Sequence, residues 1–508
     1  MTETKITVLR YPEAVRIRKE MYLIDPNHCI YEIIDNSVDE HSAGRCSKIS
    51  MTVKENDSPF QTVIIKDNGA GIPVSSSSDP EHKGESQMIV AMTTLHAGGK
   101  FSAQEGSYTT VTSGLHGVGA SCVNAVSESF TVTSHNGLLY GKADFEKGIL
   151  KNSDFHQLKS DKDNGTIVEF ILDSELWKNE SYNFEIIKRR LEQLSYLNPG
   201  LTITYEYYDK DNNQVEYFEY IAKEGLYDYF KMMNKSKSLL DSSPITINKL
   251  IEDKNLGNIQ ISAIFNYSVG YSSEVYGFVN NVSTQSGDHY TGFNTGISKA
   301  IMDFLKTNDK HKNLLKNLTN EDCREGLLAI ISVKVMEPKF EGQGKNSIKM
   351  PEIRSCMNQI IADEFHLYLE QHPNFVKLLL DKLDKAVKAR IAAKRAREAI
   401  RNAKGALDAS LPGKLKACSS KKPQESELFL VEGDSAAGSA SQGRDSRTQA
   451  ILPVFGKILN TEKTREDEVL KNTKLLDVIK ALKCGIGKTF DISKLRYHKV
   501  IIMADADK

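Results

Sequence analysis

Paired cysteines are missing from this chain. Its seven cysteines, Cys29, Cys46, Cys122, Cys323, Cys356, Cys418 and Cys484, are scattered, odd in number and never spaced as CxxC. That argues against a disulfide framework and a cysteine zinc site, and a reducing interior is the simplest setting. Apolar runs are short: none approaches the roughly 18 residues that a membrane helix needs, so no membrane association is expected. The N-terminal stretch MTETKITVLRYPE has no apolar core of the secretory kind, and a cytoplasmic location is expected. Internal repeats and long low-complexity tracts are also absent. Nor does one sign of charge dominate. The 66 Lys+Arg and 67 Asp+Glu leave a net charge of -1, so any contact with nucleic acid must come from local basic segments.

What is present is a mixed α/β pattern over 508 residues, enough for about three domains. Near the N-terminus, Asp25-Pro26 supplies a cap and a first-turn proline. Ile30, Ile33, Ile34 and Val38 then follow at helical spacing, and Gly44 closes the helix. TVIIKDNGAGIP reads as a buried strand running into a glycine turn. Further on, ISAIFNYS and EVYGFVNNVS are strand-like. Residues 375–404 form a long, strongly basic helix, about 45 Å at 1.5 Å per residue. After SLPGKLKACSSKKPQES the α/β pattern returns with LFLVEGD and KVIIMADAD.

Several residues of the first segment suit nucleotide chemistry. Glu32, Asn36 and Asp39 lie at i, i+4 and i+7 on one helix face, with His28 four residues before Glu32. A carboxylate beside a histidine is an oriented base for activating water. The Asn36 amide oxygen is a hard donor that suits magnesium. Asp67, at the end of an apolar strand, can accept a hydrogen bond from an exocyclic amine, and Gly69 and Gly71 let backbone approach a flat ring. GLHGVG, Gly114 to Gly119, opens a helix and aims free N–H groups at phosphate. Taken one at a time, each feature is more often a solvated carboxylate or an ordinary turn. Their order and spacing together carry the signal.

Together EIIDNSVDE, DNGAGIP, LHAGGKF and GLHGVG resemble the sequence boxes of the GHKL ATPases, the superfamily of gyrase B, mismatch-repair ATPases, heat-shock chaperones and histidine kinases. LHAGGKF and TSGLHGVGASCVNAVS are similar to the bacterial gyrase B and topoisomerase IV family. The resemblance implies an α/β-sandwich (Bergerat) ATPase domain over 1–220 that uses ATP and Mg2+. It implies Glu32 as general base, His28 as its orienting partner, Asn36 as the ligand of the ATP magnesium and Asp67 as the reader of adenine, with Thr166 nearby. Gly98, Gly99, Lys100 and Leu115, His116, Gly117, Val118 and Gly119 would cradle the phosphates. Asp39, Glu40, Gly71, Ile72, Pro73 and Gly114 complete the implied nucleotide contacts.

NEDCREGLLAIISVKVMEPKFEGQGKNSI resembles the same family's transducer domain, a ribosomal-protein-like α/β fold, here over 221–405. Gln343 and Lys345 match the loop that reaches the γ-phosphate. A cation that is satisfied only while that phosphate is present converts hydrolysis into movement. After a linker at 406–425, LFLVEGDSAAGSASQGRDSRTQAILPVFGKILNTEK resembles the Toprim domain of type IIA topoisomerases, over 426–508. In that domain Glu432, Asp505 and Asp507 would share a magnesium ion, since strand residues two apart face one side. The family continues with a third aspartate and the rest of Toprim. The resemblance therefore implies a domain cut short, with a core that is incomplete and marginal.

The implied function is the ATP-hydrolysing subunit of a type IIA DNA topoisomerase. It would dimerise on ATP, capture DNA and act with a gyrase A-type or topoisomerase IV A-type cleavage subunit. ATPase activity, but not DNA cleavage, is expected of this chain alone. The basic helix reads equally as a solvated amphipathic helix and as an arm of the DNA cavity. Some positions depart from the family pattern. Ala70 and Thr110 stand where Arg and Lys are usual, Phe455 replaces a basic residue, and the coumarin-associated arginine near Gly141 and Lys142 is not recognisable. Weaker nucleotide or coumarin contacts follow from that. A topoisomerase IV B-type subunit, another GHKL machine and a catalytically silent binding module remain as alternatives. The GHKL machine does not account for VEGDSAAGSA or DAD.

Overall fold

A computed structural model of the chain describes residues 9–97, 117–159, 164–253, 256–307, 312–342, 344–402, 412–456, 459–461, 464, 469, 472–485 and 490–503. The chain divides into two compact units, the first Met1–Ser268, Ser273–Phe304 and Leu327–His372, the second Val269–Ser272, Leu305–Gly326 and Pro373–Lys508.

The first unit opens with α1 (Glu13–Ile17) and α2 (Pro26–Ser42). The Asp25 side chain accepts the His28 N–H at 2.8 Å and so starts α2 where the sequence predicts. Strands β1 (Lys48–Lys54) and β2 (Thr62–Asp67), helices α3 (Gln87–Thr93) and α4 (Gly119–Ala125), and strands β3 (Ser127–Asn136), β4 (Leu139–Glu146), β5 (Ile149–Gln157) and β6 (Gly165–Leu172) follow. Helix α5 (Phe184–Leu197), β7 (Thr202–Tyr208) and β8 (Gln214–Ile221) complete an eight-stranded sheet ordered β5-β4-β3-β6-β2-β1-β7-β8. Only the β1–β7 pair in it is parallel. Burial alternates along β1 and β2, as in a sheet with one covered face. α2, α4 and α5 pack on this sheet, and α2 contributes Cys29, Ile30, Ile33, Ile34 and Val38 to its core.

A second sheet in the same unit is built from α6 (Leu226–Met233), β9 (Ile245–Asp253), β10 (Gly257–Tyr267), β11 (Glu274–Val279), β12 (Val282–Thr284), β13 (Ser286–Gly287), α7 (Asp288–Lys306), α8 (Lys312–Asn317), β14 (Leu327–Lys334), β15 (Ser347–Ile348) and α9 (Pro351–Gln371), although α8 belongs to the second unit. Its strand order is β12-β11-β14-β10-β9. Strand β14 is buried along nearly its whole length, because helices cover both faces. Ile264 packs with Tyr229 and Phe230 of α6, whereas the next residue, Phe265, meets Phe293 of α7 and Phe365 of α9 edge-on.

One sequence expectation changes here. EVYGFVNNVS is a hairpin rather than one strand: Val279 pairs with Val282, and Asn280 and Asn281 turn the chain at φ 46° and 68°. Two successive left-handed residues make the turn that best matches strand twist, and asparagine tolerates that conformation better than most residues.

In the second unit, α10 (Pro373–Asn402) is the long basic helix. Two of its cations are committed to packing: Lys382 donates to the Gly270 carbonyl at 2.6 Å, and Arg390 Nε donates to both Asp322 oxygens at 2.9 and 3.0 Å. Strands β16 (Glu427–Glu432), β17 (Gln449–Val454) and β18 (Lys499–Met503) form a parallel sheet ordered β17-β16-β18. Leu428, Ala450, Leu452, Ala481 and Tyr497 make a small core against it. Among the described residues no helix is long and apolar enough to cross a membrane.

Candidate active site

Helix α2 carries the centre of the site. The His28 Nδ1 accepts the Ile24 N–H at 3.2 Å, which leaves the ring proton on Nε2. That nitrogen lies 3.2 Å from Glu32 Oε1. Glu32 is thus held as a hydrogen-bond acceptor by a neutral imidazole one helical turn away, with its side chain 18% exposed. Lys345, from the loop before β15, brings its Nζ to 3.8 Å from the same Glu32 oxygen. It does so from a left-handed backbone at φ 50°. A local partner and a long-range one therefore converge on one carboxylate.

The start of α4 approaches this carboxylate closely. A Cβ on Gly119 would overlap Glu32 Oε2, so only glycine lets the helix begin there. Gly117 and Val118 precede it, and the Val118 carbonyl accepts the Cys122 N–H at 2.8 Å. Asn36 is exposed beside Glu32, whereas Asp39 is buried. The predicted face is therefore partly closed over.

Asp67 ends β2 and is 6% exposed. Ser37 Oγ donates to its Oδ2 at 2.8 Å, and the Gly69 and Thr166 N–H groups donate to Oδ1 at 2.8 and 3.2 Å. Burial pushes its carboxyl up, and the three hydrogen bonds oppose that shift. The turn Gly69–Pro73 is pinned from β3: Asn136 donates to the Ala70 carbonyl at 2.9 Å and Ser134 to that of Ile72 at 2.8 Å. Gly71 has φ +78°, and a Cβ on it would overlap the His135 carbonyl oxygen. Glu40 accepts Arg45 through both oxygens, at 2.8 and 2.7 Å, and the Ala70 N–H at 3.3 Å. A guanidinium from a different position thus serves Glu40 where residue 70 has none.

Sequence reasoning did not single out Arg45, Asp35 or Arg190. Asp35 is buried on α2, and Arg190 Nη2 of α5 lies 3.3 Å from its Oδ1. Burial raises the Asp35 carboxyl, while Arg190 and Lys345 act against that shift. The separation of 155 positions between Asp35 and Arg190 leaves no local signal. Gly98, Gly99, Lys100, Thr110, Gly114, Leu115, His116, Gln343, Asp505 and Asp507 lie outside the described residues.

A magnesium ion suits the exposed Asn36 amide, because this cation takes few protein ligands beside phosphate oxygens and water. At the C-terminal end of β16, Glu432 is exposed, and β18 ends alongside, with Met503 opposite Val431. Among the described residues no three His, Cys, Asp or Glu side chains cluster as a metal site. Phe455, where a basic residue is usual, has Lys414 Nζ 3.8 Å over its ring.

Three family models match the chain. Residues 23–176 match the histidine kinase-, DNA gyrase B- and HSP90-like ATPase family, 225–399 match DNA gyrase B, and 427–508 match the Toprim domain. The gyrase B protein of Clostridium acetobutylicum is 40% identical over 99% of this chain and 77% of its own length. That of Treponema denticola is 41% identical over the same shares. Among solved structures, the 43K ATPase domain of Thermus thermophilus gyrase B, crystallised with an aminocoumarin, is 28% identical with a TM-score of 0.60. The match covers 76% of this chain and 97% of that domain. The topoisomerase IV ATP-binding domain of Francisella tularensis is 29% identical with a TM-score of 0.61, over 76% of this chain and 99% of the other.

Proposed function

Since this chain belongs to the DNA gyrase B family and is the ATP-binding subunit of a type IIA DNA topoisomerase, we propose how its residues divide the work. Glu32 is the general base for water attack on the terminal phosphate, and His28 holds it in position. Asp67 and Thr166 take the adenine, with the Gly69–Pro73 turn against its ring. Asn36 holds the magnesium ion, which when bound neutralises phosphate charge. Gly98, Gly99, Lys100 and the Leu115–Gly119 stretch cradle the phosphates, and Gln343 and Lys345 read the γ-phosphate. Glu432, Asp505 and Asp507 form the Toprim magnesium site. The domain partition belongs to the same reading: ATPase 1–220, transducer 221–405, linker 406–425, Toprim 426–508.

The observation that carries this reading is the convergence of His28 and Lys345 on one Glu32 oxygen, at 3.2 and 3.8 Å. A base held by a neutral imidazole and a loop cation has the composition of a phosphate-gated hydrolase. ATP binding would close a homodimer around a captured DNA segment, and a gyrase A-type subunit would cut. The gyrase relatives favour supercoiling over decatenation as the product of the assembled enzyme.

The test is steady-state ATPase against protein concentration, with Glu32→Ala as control. Turnover per subunit is expected to rise with concentration and to vanish in Glu32→Ala while ATP still binds. Retained turnover in that variant removes Glu32 from the role of base. No turnover in the parent chain, with ATP bound, points instead to a silent binding module.

A further inference from the structure

The loop that brings Lys345 to Glu32 is framed on both sides by one short segment, Asn280–Gly287. At its root, Asn280 grips Val335 twice: Nδ2 donates to the Val335 carbonyl at 2.7 Å, and Oδ1 accepts the Val335 N–H at 2.9 Å. At its far end, the Gln285 and Ser286 N–H groups donate to the Asn346 carbonyl at 2.8 and 3.3 Å. Ser286 and Gly287 of β13 then pair with Ser347 and Ile348 of β15. Within the loop, the Glu341 N–H donates to the Ser347 carbonyl at 2.8 Å. Lys345 is thus presented from a braced hairpin.

The frame is itself tied to the catalytic helix. Arg190 Nη1 donates to the Asn281 carbonyl at 2.7 Å, and its Nη2 lies 3.3 Å from Asp35 Oδ1. Asp35 sits three residues after Glu32 on α2. The turn that receives Arg190 is unusual on three counts. Asn280 and Asn281 both have positive φ, both are buried at 1% and 2% exposure, and Asn281 Oδ1 has no hydrogen-bond partner among the described residues. A hairpin tip normally faces water, and a buried left-handed pair persists only where its surroundings over-determine it. The contacts form a closed ring: Glu32 and Asp35 on α2, Arg190 on α5, Asn281 and Asn280 in the turn, Val335, the loop, Lys345, and back to Glu32.

We propose that Arg190 is a positioning residue for ATP hydrolysis. By joining Asp35 to the Asn281 carbonyl it sets where the Lys345 loop stands relative to Glu32. The planar guanidinium suits this role, since its fork addresses two acceptors at once and a lysine ammonium is a point charge. The proposal rests on the assignment of Glu32 and Lys345 given above. Misplacing a reacting group by about 1 Å costs on the order of a hundredfold in rate. Loss of the tie is therefore expected in turnover rather than in nucleotide affinity.

The experiment is a double-mutant cycle on the full chain, with kcat from steady-state ATPase and ATP affinity from equilibrium binding. Arg190→Gln is expected to lower kcat about tenfold or more and to change ATP affinity less than about threefold. In a Lys345→Ala background the same substitution is expected to add less than about a twofold loss, because both changes remove one positioned contact. Asp35→Asn cuts the ring at its other end and serves if Arg190→Gln does not fold. It should reproduce the kcat loss, and the Asp35→Asn/Arg190→Gln double variant should be no worse than either single one. Unchanged kcat in Arg190→Gln or in Asp35→Asn overturns the proposal. So do losses that multiply with Lys345→Ala, the signature of a purely structural tie. Turnover that survives Glu32→Ala would instead overturn the underlying assignment, whatever Arg190 does.

Discussion

At the scale of the residue, burial decides which carboxylates can do chemistry. Asp67 is enclosed yet accepts three hydrogen bonds, from Ser37, Gly69 and Thr166. Its charge is thereby kept as an acceptor where adenine is expected. Asp67→Asn tests that role without removing volume. The Asn amide oxygen can still accept from Gly69 and Thr166, and the Ser37 hydroxyl can turn from donor to acceptor for the amide N–H. The variant is expected to fold and to bind ATP at least about tenfold more weakly, or about 1.4 kcal/mol, because a donor replaces an acceptor toward the exocyclic amine. Isothermal titration checks it, and unchanged affinity would remove Asp67 from adenine recognition. Cys29 and Cys122, buried behind the same helix, have thiols raised above their usual range by desolvation, so they act as small apolar core residues rather than as nucleophiles.

At the scale of the element, turns hold the site as firmly as helices do. The Gly69–Pro73 turn leaves β2 and is fastened by Asn136 and Ser134 of β3. Gly71 within it has no room for a side chain, since its φ is +78° and the His135 carbonyl oxygen stands where a Cβ would go. Gly71→Ala is expected to cost at least about 2 kcal/mol, combining roughly 1–2 kcal/mol for the left-handed backbone with the overlap. Urea unfolding of the parent and the variant would show it, and equal midpoints would mean that the turn rearranges freely. The sequence made α2 and β2 legible, because their caps and apolar periodicity are local. It misplaced the β11–β12 turn, because Asn280-Asn281 lies inside an apolar run and lacks the usual glycine.

At the scale of the whole molecule, the two units differ in how well their apolar surface is covered. In the first, the eight-stranded sheet and the buried β14 are enclosed by helices. In the second, β18 is a sheet edge on which Val500, Ile502 and Met503 are 44%, 75% and 51% exposed. An exposed apolar edge strand is a template for pairing with another chain. Ile502→Lys is therefore expected to raise the protein concentration at which light scattering sets in, with ATPase unchanged. Identical scattering curves would show that β18 takes no part in self-association. The basic helix α10 is less available to DNA than its composition suggests, since Lys382 and Arg390 are engaged within their own unit. Its remaining cations, Lys388 among them at 74% exposure, are the ones left for a salt-dependent phosphate contact.

The order of the glycine boxes, the His28–Glu32 spacing on one helical turn and the cap at Asp25 are written in the sequence alone. Each depends on residues within a few positions of one another, where the helical repeat and turn chemistry fix geometry directly. The Arg45–Glu40 pair also lies within five positions, yet it needed the helix end at Ala43 to bend the chain back. Tertiary structure alone decided that Arg190 meets Asp35, that Asn280 holds Val335 and that Lys345 reaches Glu32. Those partners are 155, 55 and 313 positions apart. The sheet orders β5-β4-β3-β6-β2-β1-β7-β8 and β12-β11-β14-β10-β9 bring them together. Such pairs are set by which faces the sheets bury, and no periodicity along the chain records that choice.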